Sequence, residues 1–409
     1  MEIDSMLQSS VPLRVPTRSD QIQFDQSRLN ILDRSRKSRL PWRGQFSPEL
    51  VEYLLETVCP DAHVVLDPFC GSGTVLFEAS QRGGLGLGAE VNPAAWHLAC
   101  LACLSSLSPL ERRSLKSQLA ELRANLKKSD DLLSASSTNL DILRLVEARE
   151  TPLSLRQSIT SAILLGMGDK PSLSDDLMAK GLLCVESLLG EIETHPGSAE
   201  CYLADARALP IDNANVDAVI TSPPYINVFN YHQNYRPAAE LLGWHPLEAA
   251  RSEIGANRKH RQNRFLTVIQ YCLDMAQVFD ELTRVCKKGA LIVFVVGRES
   301  NVLGAAFRNG DMLEQIMDIN PGIALRQRTE RSFMNRYGQE IFEDIIIGQC
   351  IEQGITDLDP VRSIAAASMT DALPLVPEKN RAMLESALFS SARVLPSPLL
   401  AISKPDFIN

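Results

Sequence analysis

The feature that most limits what this chain can fold into is the octet Asp67-Pro68-Phe69-Cys70-Gly71-Ser72-Gly73-Thr74, set between the apolar run HVVL and a helical pattern, VLFEASQR. A short buried strand that runs into a glycine-rich turn and then a helix opens a βαβ unit, which points to an α/β fold with a parallel sheet. Gly71 and Gly73 let the backbone turn sharply and approach a ligand, and the N–H groups at the helix start favour a polar or anionic group. About twenty residues further on, GLGLGAE reads as the second strand and ends at Glu90, where a carboxylate can accept both hydroxyls of a ribose. Taken alone, the pattern also suits a nicotinamide cofactor, although Leu76 stands where that fingerprint has its third glycine, or a tight turn with no ligand at all.

The flanking segments extend the same sheet. Ser47 as N-cap and Pro48 at the first helical position predict a helix over SPELVEYLLETV that ends near Pro60. From about Leu104 to Ser198 the pattern turns helical, with Leu115, Leu119, Leu122 and Leu126 on one face. Strand–helix alternation resumes with CYLAD and VDAVIT, continues through the helix FLTVIQYCLDMAQVFDELTRVC and the strand ALIVFVVG, and closes on GIALRQRT and FEDIIIGQC. The expected organisation is a basic arm over 1–40, one α/β sheet domain from 41–104 and 200–352, an inserted helical subdomain at 105–199, and a loosely packed tail at 353–409.

The composition narrows the function classes. A length of 409 residues with 45% hydrophobic content gives ample core and excludes disorder throughout. No stretch reaches the eighteen or so apolar residues of a membrane helix, and Glu2 and Asp4 do not read as a secretory signal, so a cytoplasmic protein is expected. A net charge of −9 argues against non-specific coating of nucleic acid, but Arg28, Arg34, Arg36, Lys37, Arg39 and Arg43 face a single acid, Asp33, in a locally basic arm. Cys100 and Cys103 lack a second pair at zinc-site spacing, and the histidines form no ligand set, so no metal is assigned and His97 and His232 are expected in packing or at the surface.

The second motif is Thr221-Ser222-Pro223-Pro224-Tyr225, at the end of the strand VDAVI, where an open parallel sheet places its active site. The prolines hold the backbone extended, which leaves a rigid row of carbonyl acceptors. Ser222 adds a hydroxyl acceptor, and Tyr225 offers a flat face on which an extruded base can stack, worth roughly 1–3 kcal/mol. A generic Pro-Pro turn is the alternative.

DPFCGSGT followed by TSPPY resembles the S-adenosylmethionine-dependent DNA amino-methyltransferases, which methylate N4 of cytosine or N6 of adenine. The resemblance spans roughly 38–104 and 200–350 and implies a Rossmann-like, seven-stranded, mostly parallel sheet flanked by helices. It makes Phe46, Ser47 and Pro48 of RGQFSPEL the contact to the methionine end, with Asp67, Phe69, Gly71, Gly73 and Thr74 as the cofactor loop. Glu90 and Asn92 of AEVNP fall at the ribose and adenine, Asp205 of ADARALP at the adenine amine, and Ser222, Pro223, Pro224 and Tyr225 in the catalytic loop.

The chemistry of the residues agrees. An exocyclic amine is a poor nucleophile, so acceptors such as Ser222 Oγ and the Pro223 carbonyl must engage its N–H bonds as the methyl donor approaches in line. The target base lies inside a duplex and must be flipped out, with Tyr225 stacking on it. No Pro-Cys dipeptide occurs, so a cytosine-C5 enzyme does not fit, and Ser before Pro-Pro-Tyr resembles the N4-cytosine branch more than the N6-adenine branch. The implied partners are double-stranded DNA and a cognate restriction endonuclease. An N6-adenine enzyme, an RNA methyltransferase and a non-catalytic nucleic-acid scaffold stay open. Target reading is expected from the 105–199 insertion or from the loop after Tyr225, where Arg258, Lys259, Arg261 and Arg264 are the candidate nucleic-acid contacts. Arg326, Arg328, Arg331 and Arg336 form a third basic stretch, expected along one wall of the same cleft.

Overall fold

A computed structural model describes residues 21–33, 35–42, 44–126, 141–226, 230–256, 260–335 and 337–405. Seven strands form one sheet in the order β3-β2-β1-β4-β5-β9-β8. Its parallel part is β1 (Val64–Asp67), β2 (Leu85–Glu90), β3 (Ser198–Leu203), β4 (Val216–Thr221) and β5 (Cys286–Gly297). The last two strands, β8 (Ile323–Met334) and β9 (Glu340–Cys350), form an antiparallel pair, and β9 is also antiparallel to β5. A separate hairpin, β6 (Glu299–Val302) and β7 (Ala305–Arg308), follows β5 and was not foreseen from the sequence. The seven-stranded, mostly parallel sheet flanked by helices is the expected fold class.

Period-two alternation in the strands explains both layers. Val65, Ala218, Ile220, Val293, Val295, Ile345 and Ile347 pack on one face with Leu50, Val51 and Leu54 of α1 (Pro48–Thr57). Their neighbours Leu66, Val219, Ile292, Phe294, Val296 and Ile346 pack on the other face against α7 (Leu266–Val285) and α8 (Asn309–Ile319). Both faces are covered, which is why the strands read as nearly continuous apolar runs.

Between β2 and β3 the described chain is helical. After α2 (Thr74–Gln81) and α3 (Pro93–Ala99), the chain forms α4 (Pro109–Leu126), α5 (Leu153–Met167) and α6 (Asp175–Glu191) before it enters β3. Leu115, Leu119 and Leu126 are buried, and α5 and α6 touch so closely that a Cβ on Gly181 would lie 1.8 Å from the Ala162 carbonyl oxygen. Glycine there sets the spacing of the two helices.

The segment after 353 corrects the expectation of a loose tail. It forms α9 (Leu358–Ala372) and α10 (Glu378–Phe389), and Val361, Ala365, Met369, Ala372, Leu384 and Ala387 are buried in the same core as α7. The stripe Val361, Ala365, Met369, Ala372 does follow helical spacing, but two of its four members are alanines, and alanine contributes little to an apolar period. No helix among the described residues is long and apolar enough to cross a membrane.

Candidate active site

The sheet order reverses between β1 and β4, so the loops after these adjacent strands diverge and leave a crevice at their carboxyl ends. Those two loops are the two sequence motifs, and Thr221 ties them together by donating from Oγ1 to Asp67 Oδ1 at 2.6 Å. Asp67 is 3% exposed and also accepts the Phe69 N–H at 3.1 Å. Burial pushes its carboxyl up to about 7 against the pull of both bonds.

The glycine turn behaves as its composition demands. Gly71 and Gly73 have φ of +52° and +86°, and a Cβ on Gly73 would stand 3.0 Å from the Ala99 backbone, so side chains are excluded on two counts. The Gly71 N–H donates to Glu90 Oε2 at 3.0 Å, and the Asn92 N–H donates to Oε1 at 2.8 Å. Each Glu90 oxygen therefore keeps acceptor capacity toward the cavity. Desolvation pushes the Glu90 carboxyl up to about 7, the two backbone bonds oppose it, and the nearby Glu253 carboxylate adds to the rise.

The resulting cavity opens to solvent and spans about 860 Å³ with that open space included. Of the residues expected at the cofactor, Phe46, Asp67, Phe69, Gly71, Thr74, Glu90 and Asp205 line it. Ser47, Pro48, Gly73 and Asn92 do not. Ser47 and Pro48 begin α1, Gly73 precedes α2, and Asn92 caps α3 through Oδ1 to the Ala94 N–H at 2.9 Å while its Nδ2 donates to the Tyr231 carbonyl at 2.8 Å. These four hold the elements that carry the lining.

Asp205 lines the cavity, but its carboxylate is already occupied. Oδ1 accepts the Arg207 backbone N–H at 3.1 Å and Nε at 2.8 Å, and Oδ2 accepts Arg207 Nη2 at 2.8 Å and the Leu400 N–H at 3.1 Å. A carboxylate offers about four acceptor positions, so this one is filled by the protein. Arg207 also reaches Asp274 at 2.9 Å and the carbonyls of Ser397 and Pro398 at 2.8 and 3.0 Å.

Trp42, Val91, Tyr231, Ser252, Glu253 and Ile254 also line the cavity and were not foreseen. The sequence offers a signal for Trp42, which adjoins RGQF, but none for Glu253 in the loop ahead of α7. Glu253 is 4% exposed; its Oε2 meets His232 Nδ1 at 2.8 Å. Its Oε1 is buried without a hydrogen-bond partner among the described residues.

Ser222 and Pro224 line this cavity, and Ser222, Pro223 and Tyr225 line a second, open one between the arm at Asn30–Leu32 and the β8–β9 hairpin. Tyr225 Oη lies 3.4 Å from Ser222 Oγ, and its ring packs so closely on Gly297 that a Cβ there would lie 3.1 Å away. Burial pushes the Tyr225 hydroxyl well above the ordinary phenol range, so it stays protonated.

The basic segments separate. Arg36 and Arg39 both pair with the buried Glu78, Arg36 also with Glu52 at 2.9 Å, and Arg28 with Glu56 at 2.7 Å, so these charges fasten the arm to α1 and α2. Arg328 pairs with Asp311, Glu314 and Asp344, and Arg331 with Glu343 at 2.7 Å. Arg331 does line the second cavity, but as half of an ion pair. Arg261 and Arg264 are exposed just before α7. Arg34, Arg43, Arg258, Lys259 and Arg336 lie outside the described residues. His97 is buried, with Nδ1 3.0 Å from Gln157 and Nε2 accepting from Trp244 at 3.1 Å, and His232 is buried against Glu253. Among the described residues no group of three or more His, Cys, Asp or Glu is placed to hold a metal ion.

The sequence around the first motif is similar to that of known proteins. Residues 17–100 match the family model described as DNA methylase. Over 82 residues the chain is 32% identical to the type II methyltransferase M.MjaII of Methanocaldococcus jannaschii, a match over 20% of this chain and 15% of that protein. A likeness of fold extends to an S-adenosylmethionine-dependent methyltransferase of Methanosarcina mazei, at TM-score 0.35 and 13% identity over 75% of this chain and 99% of that one. An rRNA methyltransferase of Streptomyces viridochromogenes overlaps at TM-score 0.33 and 14% identity, over 86% of this chain and 98% of that one. These overlaps are too loose to bear on function. The matched sequence runs from the arm through the glycine turn to α3 and includes the Asp67 and Glu90 carboxylates, and over this fifth of its length the chain is similar to DNA methylases.

Proposed function

We propose that the protein transfers a methyl group from S-adenosylmethionine to the exocyclic N4 of a cytosine flipped out of double-stranded DNA. What carries the reading is the position of Ser222, which lines both the cavity built by the glycine turn and the open cavity that holds the Tyr225 ring. A donor in the first cavity and an acceptor amine in the second would meet at that side chain.

The residues fit the cofactor. Glu90 keeps one acceptor position on each oxygen for a ribose diol, Val91 and Ala206 offer apolar surface for adenine, and Asp67 and Phe69 line the remaining length for the methionine end. Bound there, the sulfonium supplies an electrophilic methyl group that needs no metal or covalent enzyme intermediate. Ser222 Oγ and the Pro223 carbonyl accept the amine N–H bonds and favour a pyramidal nitrogen, while Tyr225 gives the base a stacking face. Arg261 and Arg264, with Arg258 and Lys259, grip phosphate. The same reading makes the chain the modification partner of a restriction endonuclease, working in the cytoplasm.

The test is to incubate the protein with duplex DNA and S-adenosylmethionine, digest the product to nucleosides and identify the modified base by mass spectrometry. N4-methylcytosine is expected. N6-methyladenine would replace the target base and leave the site assignment standing. Methyl groups found in RNA but not DNA would reassign the substrate, and no transfer to either would favour the scaffold.

A further inference from the structure

The cavity contains a carboxylate that the motifs do not explain. Glu253 is 4% exposed, its Oε2 is held by His232 at 2.8 Å, and its Oε1 has no hydrogen-bond partner among the described residues. A buried acceptor without a donor is costly, so such a group in a ligand cavity points to a donor that arrives with the ligand. Its loop is anchored on the catalytic loop: Gly255 has φ +72°, and a Cβ there would stand 2.8 Å from the Tyr225 carbonyl oxygen. Glu253 lines the cofactor cavity but not the second one, and it acts electrostatically on Glu90, so it belongs to the nucleoside half of the site.

The donors of that half can be matched to acceptors. The ribose hydroxyls have Glu90. The adenine 6-amine would be left to Asp205, but the four acceptor positions of Asp205 are filled by Arg207 and Leu400. We propose that Glu253 Oε1 accepts the adenine 6-amine, so that a residue of the loop ahead of α7, held in place by His232, selects adenine in the cofactor. This rests on the reading of the cavity as an S-adenosylmethionine site.

The test compares S-adenosylhomocysteine with S-inosylhomocysteine, in which a carbonyl oxygen replaces the 6-amine, by calorimetry on the full chain without DNA. The wild-type protein should prefer the adenine ligand by about tenfold or more, because a buried acceptor rejects a ligand that brings an acceptor instead of a donor. Glu253→Gln keeps the shape and the acceptor for His232 but can present an amide donor. It should weaken S-adenosylhomocysteine by about tenfold and abolish or reverse the preference. Glu253→Ala should lose the preference as well, and thermal melting of both variants checks the fold.

An unchanged preference in Glu253→Gln overturns the proposal, as does an equal loss for both ligands, which would make Glu253 a shaper of the pocket. A wild-type protein that binds neither ligand overturns the cofactor reading itself, an outcome distinct from the other two.

Discussion

Glu90 should make nucleoside binding depend on pH, and the structure gives the size and sign of the effect. Its carboxyl is pushed up to about 7 by desolvation, with the Asn92 and Gly71 N–H groups pulling it down and Glu253 pushing it up. Ribose hydroxyls donate best to the ionised form, so affinity scales with the ionised fraction, which rises from about one tenth at pH 6 to about nine tenths at pH 8 for a group near 7. Binding of 5′-methylthioadenosine should therefore tighten by nearly tenfold, on the order of one pKa unit, over that interval. This ligand has no amino-acid half, so it does not engage the Asp67 end and carries no group that titrates in the range. The linked stability has the opposite slope. A carboxyl raised above its unfolded value adds stability at low pH and loses it as pH rises from about 4.5 through about 7, so the ligand-free protein weakens where the ligand binds best. Calorimetry at pH 6, 7 and 8, in buffers of different ionisation enthalpy, measures both the affinity and the proton released. A flat profile, or a Glu90→Gln variant with the same slope as wild type, would refute the reasoning.

Three further outcomes follow from the geometry. Ser222→Ala and Tyr225→Ala should each slow single-turnover methylation of saturating duplex DNA, on the order of 10²-fold for the loss of one preorganised contact, with cofactor affinity unchanged; wild-type rates in both would remove the loop from the mechanism. Replacing Arg261 and Arg264 together with alanine should reduce the salt slope of DNA binding by about 0.9 per lost phosphate contact, and an unaltered slope would take the phosphates elsewhere. Asp205→Ala leaves the buried Arg207 with Asp274 as its remaining carboxylate and should cost about 3–5 kcal/mol in urea melts, whereas wild-type stability would show that the cluster is not structurally required.

The strands were readable because each carries its burial in its sequence: VVLD, VDAVI and ALIVFVVG are apolar on both faces, and the sheet covers both. The two loops were readable because Gly71 and Gly73 and the Pro223-Pro224 pair restrict the backbone itself. What lay beyond reach was made by side chains meeting across the fold. Nothing in SEIG marks Glu253 as a cavity residue, since its place comes from His232 and the loop before α7. Arg207 stands two residues after Asp205 in plain view, yet that spacing does not say that the guanidinium folds back onto the carboxylate. The arm likewise read as a basic patch because its partners, Glu52, Glu56 and Glu78, sit on two other helices.

The closure of Asp205 also sets a timetable for making the protein. Arg207 draws two of its acceptors from the Ser397 and Pro398 carbonyls, and Asp205 takes a donor from Leu400, 195 positions downstream. At about 5–20 residues per second of synthesis, a nascent chain carries the β3 end for roughly 10–40 seconds before the segment that completes its charge cluster exists. The glycine turn and Glu90 are complete from the first hundred residues, so during translation the two halves of the cavity mature at opposite ends of the process. A chain that stops short of Ser397 should accordingly leave the Arg207–Asp205 cluster without these three downstream partners.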